Sequence, residues 1–176
     1  MHILLIGLRA SGKSTLGRAL ASVMSWPFVD LDEATAACMR AKTAAEAIHA
    51  QGFSAFRLAE TRALHAALGV ATPHIIALGG GTPTAPGAAE AIGDATQAGR
   101  ARAIYLRAQP ATLQARLRQS DVSTRPSLTG ASVIDEVPLL FAQRDELYTS
   151  LANYTVNIDT MDEAQTLAAL RLMVAK

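Results

Sequence analysis

The sequence predicts an α/β fold, a parallel sheet with helices on both faces, and three observations predict it. Short apolar runs alternate with helical stripes from one end of the chain to the other, as strands joined by helical crossovers require. The first run leads straight into a glycine- and lysine-containing turn, Gly7 to Thr15, of the kind that joins a buried strand to a helix. The composition, 50% hydrophobic and 18% charged over 176 residues, suits a single domain with a buried core.

Ile3-Leu4-Leu5-Ile6 has the unbroken apolar character of a strand covered on both faces. Gly7-Leu8-Arg9-Ala10-Ser11-Gly12-Lys13-Ser14-Thr15 follows it and completes the pattern G-x-x-x-x-G-K-S/T. A helix opening at Lys13 offers unpaired N–H groups and its positive dipole end to an anion. Gly7 and Gly12 let the backbone close around phosphate oxygens, Lys13 reaches the β- and γ-phosphates, and the Ser14 hydroxyl ligates Mg²⁺. The motif names a phosphate donor and says nothing of the acceptor.

Leu16, Leu20 and Val23 carry the helix to Met24, and Pro27 forbids its continuation. Phe28-Val29-Asp30-Leu31-Asp32 reads as a second strand running into acidic residues. At i and i+2 of an extended segment, Asp30 and Asp32 point to one side, where one can hold a water-bridged Mg²⁺ and the other a substrate hydroxyl. The alternative is that Asp32 caps a helix beginning near Glu33, with Asp30 in a turn. Ala-rich helices are expected over 33–40 and 43–50, the second opened by the capping-box pattern Thr43-Ala44-Ala45-Glu46. Gly52 ends it, and Phe53 opens a third toward Leu68. Arg57 and Glu60 face each other on that helix, and by spacing alone they form an ordinary surface ion pair.

His74 to Leu78 is a third strand, ending in Gly79-Gly80-Gly81, where backbone amides can approach a substrate closely. Pro86 is placed in the first turn of a helix running to about Ala98. Ala103 to Leu106 is a fourth strand. Pro110 starts a helix through Leu113 and Leu117 whose Arg116 and Arg118 either face solvent or stack on a base. Residues 119–132 are polar and long for a plain connection, as a lid is, and Arg125 is their sole cation. A helix with Phe141, Arg144, Leu147 and Tyr148 follows, then the strand Tyr154 to Ile158. The last helix is capped by Thr160-Met161-Asp162-Glu163 and turns Leu167, Leu170 and Met173 inward.

Composition narrows the partners. A net charge of +1 argues against nucleic acid, and no apolar run approaches the length needed to span a membrane. The first apolar run is core rather than a signal peptide. Cys38 is the single cysteine, which excludes an internal disulfide; among Ala37 and Met39 it reads as a buried, inert thiol in a reducing cytoplasm. Lysine occurs only at positions 13, 42 and 176; the other bases are arginine, whose fork suits carboxylates and phosphates.

In this order and spacing the motifs resemble those of shikimate kinases, in the nucleoside-monophosphate-kinase-like branch of P-loop proteins. They are the loop at 7–15, Asp30-x-Asp32, Phe56-Arg57-x-x-Glu60, Gly79-Gly80-Gly81, Arg125-Pro126-x-Leu128 and Arg144-x-x-x-Tyr148. The resemblance implies a three-layer P-loop kinase fold with a five-stranded parallel sheet and a mobile lid, in one domain over residues 1–176. The lid falls at about 119–132 and a substrate-binding helical region at about 32–62. It implies ATP on Gly7, Ala10, Ser11, Gly12, Lys13, Ser14 and Thr15, with adenine on Arg116 or Arg118, and Mg²⁺ at Ser14 and, through water, Asp30. Shikimate is implied on Asp32, Arg57, Gly79, Gly80, Gly81 and Arg144, with Glu60 orienting Arg57. Asp32 then meets the 3-hydroxyl as candidate base, while Lys13 and Arg125 neutralise the transferring phosphoryl group.

The activity so implied is transfer of the γ-phosphate of ATP to shikimate in aromatic amino-acid biosynthesis, by a cytoplasmic monomer without nucleic-acid or membrane partners. The chain departs from the family pattern at Phe53, where glutamate is usual, at Ser127, where leucine is usual, and in the loosely aligned stretch from Arg116 to Arg125. Two other readings use the same loop: a kinase for gluconate or a nucleoside monophosphate, and a nucleotide-binding domain without catalysis.

Overall fold

One parallel sheet runs through the computed structural model, which describes residues 1–119 and 132–175. Its strands are β1 (His2–Ile6), β2 (Phe28–Asp30), β3 (Ile75–Ala77), β4 (Ala101–Arg107) and β5 (Tyr154–Asn157), in the order β2-β3-β1-β4-β5. Every neighbouring pair is parallel. The central strand, β1, is buried along its whole length, and Ile3, Leu4, Leu5 and Ile6 are each 0% exposed. Burial of one such side chain is worth about 1.5–3 kcal/mol, so this strand anchors the core.

The crossovers are α1 (Lys13–Met24), then α2 (Leu31–Cys38), α3 (Ala44–Gln51) and α4 (Phe53–Leu68), then α5 (Ala88–Gln97), then α6 (Pro110–Arg118) and α7 (Val137–Leu151), with α8 (Glu163–Val174) after β5. The chain moves from β1 to the edge strand β2 and returns past β3 to β4, so right-handed connections put α1 on one face and the later crossovers on the other. Helix α8 packs beside α1, while α5 and α7 cover β4. The carboxyl ends of β1, β2 and β3 lie side by side, where ligands of open parallel sheets bind.

Several local expectations need correction. β2 stops at Asp30 and α2 begins at Leu31, so Asp32 belongs to a helix rather than to an extended segment. The cap is Asp30, whose carboxylate accepts from the Asp32 N–H at 3.1 Å. Pro86 lies before α5, whose N-cap is Gly87 at φ 76. The last helix is capped by Asp162 with Gln165 in a reciprocal box; Leu170 is buried and Leu167 and Met173 pack against the core as expected, with Thr166 and Val174 buried beside them. Cys38 is exposed, because it ends α2 and looks into the gap between α2 and α4 instead of the core. The Thr43 cap of α3 is as the pattern predicts, its hydroxyl accepting from the Glu46 N–H at 3.1 Å. Pro138 sits in the first turn of α7, where its missing N–H costs nothing. The expected lid and its Arg125 lie outside the described residues. Among the described residues no helix is long and apolar enough to cross a membrane.

Candidate active site

The site begins where β1 ends. Gly12 is the N-cap of α1 at φ 87, and no side chain caps the helix, so its first N–H groups face the loop interior. Lys13 is only 8% exposed, and its ammonium donates to the carbonyls of Gly7 at 2.8 Å and Leu8 at 2.9 Å. This places a buried cation in the mouth of the loop. The Ser14 hydroxyl donates to Asp30 Oδ2 at 2.6 Å, bringing together the two groups expected to serve a metal. Among the described residues there is no cluster of three or more His, Cys, Asp or Glu. The Ser14 hydroxyl and the Asp30 carboxylate are oxygen groups of the kind that can hold Mg²⁺ when nucleotide phosphates and water supply its other ligands.

Against the loop, at Arg9, lies the glycine triplet. A Cβ on Gly79 would collide with Asp32 Oδ1, Glu60 Oε1 and Thr82 Oγ1, so glycine is what lets these three groups converge. Burial pushes the Asp32 carboxyl above its usual pKa, and the Asp30 charge adds to the effect; Lys13, Arg9 and Arg57 oppose it. Glu60 is raised for the same leading reason, its burial, although Arg57 and Thr82 favour its charged form.

Arg57 and Glu60 are not the surface pair that spacing suggested. Glu60 is 1% exposed; one of its oxygens accepts from Arg57 Nη1 and the other from the Thr82 hydroxyl at 2.8 Å. The Arg57 guanidinium also lies over the Phe53 ring, 4.5 Å from its centroid, and against Gly81, where a Cβ would stand 2.8 Å from Cζ. An aromatic face, a carboxylate and a bare backbone thus fix its plane. Phe53, which departs from the family pattern, is one of the three.

Arg144 arrives from the opposite side. It is 9% exposed and donates from Nη1 to the Gly80 carbonyl at 2.8 Å, which also accepts from the Tyr148 hydroxyl at 2.7 Å. It is the carbonyl of Gly80, rather than its amide, that organises this corner. Helix α7 is held in register by Asp145, which accepts from Arg107 Nε and Nη2, both at 2.8 Å, and from the Tyr105 hydroxyl at 2.9 Å. The Arg107 hydrogen bonds hold the Asp145 carboxyl below its usual pKa. Tyr105 and Tyr148 meet edge to face at 5.6 Å.

Beside the phosphate loop a cavity of about 200 Å³ is lined by Ala10, Ser11, Gly12, Thr15 and Arg116 together with residues leading into α8. Arg116 donates weakly to Ala10 O and Ile158 O, at 3.5 and 3.4 Å. Arg118 is exposed and does not line this cavity.

Three residues at the site received no role from sequence reasoning. Arg9 sits against Gly80, close enough for its charge to reach Asp32, and pairs with the buried Glu136 at 3.3 Å. A cation at a variable position of the loop was the available signal. Thr82 follows the glycine triplet and is 0% exposed, a contact that spacing does not reveal. Tyr148 was noticed within a motif, but its bond to Gly80 spans 68 residues.

Comparison with known proteins extends the same pattern. The shikimate kinase family model matches residues 9–173. Shikimate kinase 2 of Syntrophotalea carbinolica is 35% identical, over 97% of this chain and 95% of that protein. The structure of shikimate kinase from Acinetobacter baumannii in complex with shikimate superposes with a TM-score of 0.83 at 26% identity, covering 99% of this chain and 92% of that one. That from Bacteroides thetaiotaomicron gives 0.82 at 28% identity, covering 100% and 99%. Matched along nearly its whole length in sequence and in fold, the chain belongs to the shikimate kinase family.

Proposed function

We propose that this chain transfers the γ-phosphate of ATP to the 3-hydroxyl of shikimate, with the groups around the glycine triplet holding the acceptor. One observation carries the assignment: Asp32, Arg57 and Arg144 reach Gly79, Gly81 and Gly80 from three different elements, beside the buried ammonium of Lys13. Two arginines on one small pocket suit a carboxylate-bearing acceptor, because each guanidinium can form paired charge-assisted bonds. The family match and the shikimate complex of the Acinetobacter relative support that choice.

Asp32 accepts the hydrogen bond, and then the proton, of the 3-hydroxyl. Its raised pKa makes it a better base than an exposed aspartate. Arg57 and Arg144 clamp the shikimate carboxylate, while Glu60, Thr82 and Phe53 keep Arg57 in plane. On the donor side the Gly7 to Thr15 loop cradles the phosphates and Lys13 exchanges its loop carbonyls for β- and γ-phosphate oxygens. Arg116 rather than Arg118 stacks on adenine, since only Arg116 lines the cavity beside the loop. Ser14 and Asp30 hold Mg²⁺, which when bound neutralises phosphate charge. Arg125 brings a further cation to the transferring group. Phosphoryl transfer depends on such positioning and neutralisation more than on covalent help.

A coupled ADP-release assay with shikimate, gluconate, AMP and CMP as acceptors tests the reading. Turnover that depends on shikimate alone is expected. Turnover on gluconate or a nucleotide in its place would reassign the acceptor, and ATP binding with no turnover on any of them would remove catalysis.

A further inference from the structure

We propose that the cavity between the C-terminal end of α2 and the outer side of α4 binds a small organic anion with an apolar body, at a site separate from the catalytic one. The cavity measures about 350 Å³, within the usual span of small-molecule pockets. Its lining is divided by chemistry. Met39, Leu58 and the alanines of α4 supply apolar surface, while Arg40, Arg62 and the Gln51 amide supply donors. No carboxylate lines it. The guanidinium groups of Arg40 and Arg62 are exposed and, like those of Arg100, Arg118 and Arg171, have no ion-pair or hydrogen-bond partner among the described residues.

A helix C-terminus ordinarily repels anions, but this one is covered. The N–H groups of Met39, Arg40 and Ala41 return to the carbonyls of Thr35, Ala36 and Ala37, and Gln51 Nε2 donates to Met39 O at 3.0 Å. Arg40 occupies the left-handed position of that turn at φ 59, where glycine is the comfortable residue. An arginine held in a strained conformation, with its guanidinium unpaired at a cavity rim, points to work done by the side chain. Leu58 and Arg62 lie on the side of α4 turned away from Arg57 and Glu60, so the ligand does not compete with shikimate for groups.

Cys38 lines the same cavity, is exposed, and is the only cysteine of the chain, so its alkylation by iodoacetamide reports on this place alone. The rate is followed by intact mass, with phenyl phosphate as probe and benzyl alcohol as its uncharged counterpart. Phenyl phosphate should slow alkylation saturably and benzyl alcohol should not. Arg62→Ala, and separately Arg40→Gly, which also relieves the strained φ, should each weaken the protection about tenfold, the loss of one charge-assisted hydrogen bond. Basal kinase activity of both variants should stay unchanged, which checks that they are folded. No protection by phenyl phosphate, equal protection by benzyl alcohol, or undiminished protection in both variants would overturn the proposal.

Discussion

Gly81→Ala places a methyl group where the Arg57 guanidinium now lies, 2.8 Å from Cζ. The backbone tolerates it, since Gly81 has φ −127, a value open to any residue. The neighbour that must yield is the far end of a long side chain, so the guanidinium should leave its plane between Phe53, Glu60 and Gly81 while the fold persists. Each charge-assisted hydrogen bond to a bound carboxylate is worth about 1.5–3 kcal/mol, and each 1.4 kcal/mol is about a factor of ten. Losing one or two such bonds predicts a rise in the KM for shikimate of about 10- to 10,000-fold. The KM for ATP should hold, because the phosphate loop is untouched. Coupled ADP release with each substrate varied in turn, beside a thermal melt, provides the measurement. A folded variant with an unaltered KM for shikimate would refute the placing of Arg57 on the acceptor.

Asp32→Asn should nearly abolish kcat while leaving ATP affinity close to intact, as measured by turnover and by nucleotide titration; equal loss of both would mean that this carboxylate is not the base. Phe53→Ala removes the ring under Arg57, a contact worth about 0.5–1 kcal/mol, so the KM for shikimate should rise about two- to fivefold with kcat preserved. Tyr148→Phe deletes one buried hydrogen bond but leaves Gly80 O with its Arg144 donor; a loss of about 1 kcal/mol should lower Tm by about 2–4 °C and raise the KM for shikimate but not that for ATP. Asp145 has a depressed pKa in the folded state, so its contribution to stability is present above its ordinary value of 3.8 and is lost as pH falls through the folded value. Acid unfolding of Asp145→Asn should therefore be less steep than that of the parent, followed by circular dichroism against pH.

Much of this molecule was legible because its signals are local. The apolar run before Gly7, the loop itself, the Thr43 cap and the strand before Gly79 are each written within about ten residues, and each is where the pattern put it. What escaped was decided across the sheet. Asp30 and Asp32 read either as two residues of a strand or as a turn and the cap of a helix from about Glu33; the helix in fact starts at Leu31 with Asp30 as its cap, a shift of two residues that Phe28-Val29-Asp30-Leu31-Asp32 does not announce. Arg57 and Glu60 looked like a surface pair because their burial depends on Thr82 and Gly81, more than twenty residues away in the chain. Cys38 looked like core because its helix is apolar, yet it falls at that helix's last turn, where packing stops. That Arg116 lines the cavity beside the phosphate loop and Arg118 does not depends on where the loop into α8 lies, which no spacing within α6 encodes.

The absence of any connecting residue between β2 and α2 has a consequence for how the two substrates are brought together. Asp30, beside the phosphate loop, and Asp32, beside the glycine triplet, are separated by one residue of backbone, and the carboxylate of the first accepts from the N–H of the second. On the proposed reading, the offset between the oxygen that would hold the metal and the one that would take the proton is a property of covalent geometry and helix pitch, fixed before either ligand arrives. On the same reading, a single insertion at Leu31 should turn Asp32 away from the acceptor hydroxyl and cost kcat more than ATP affinity.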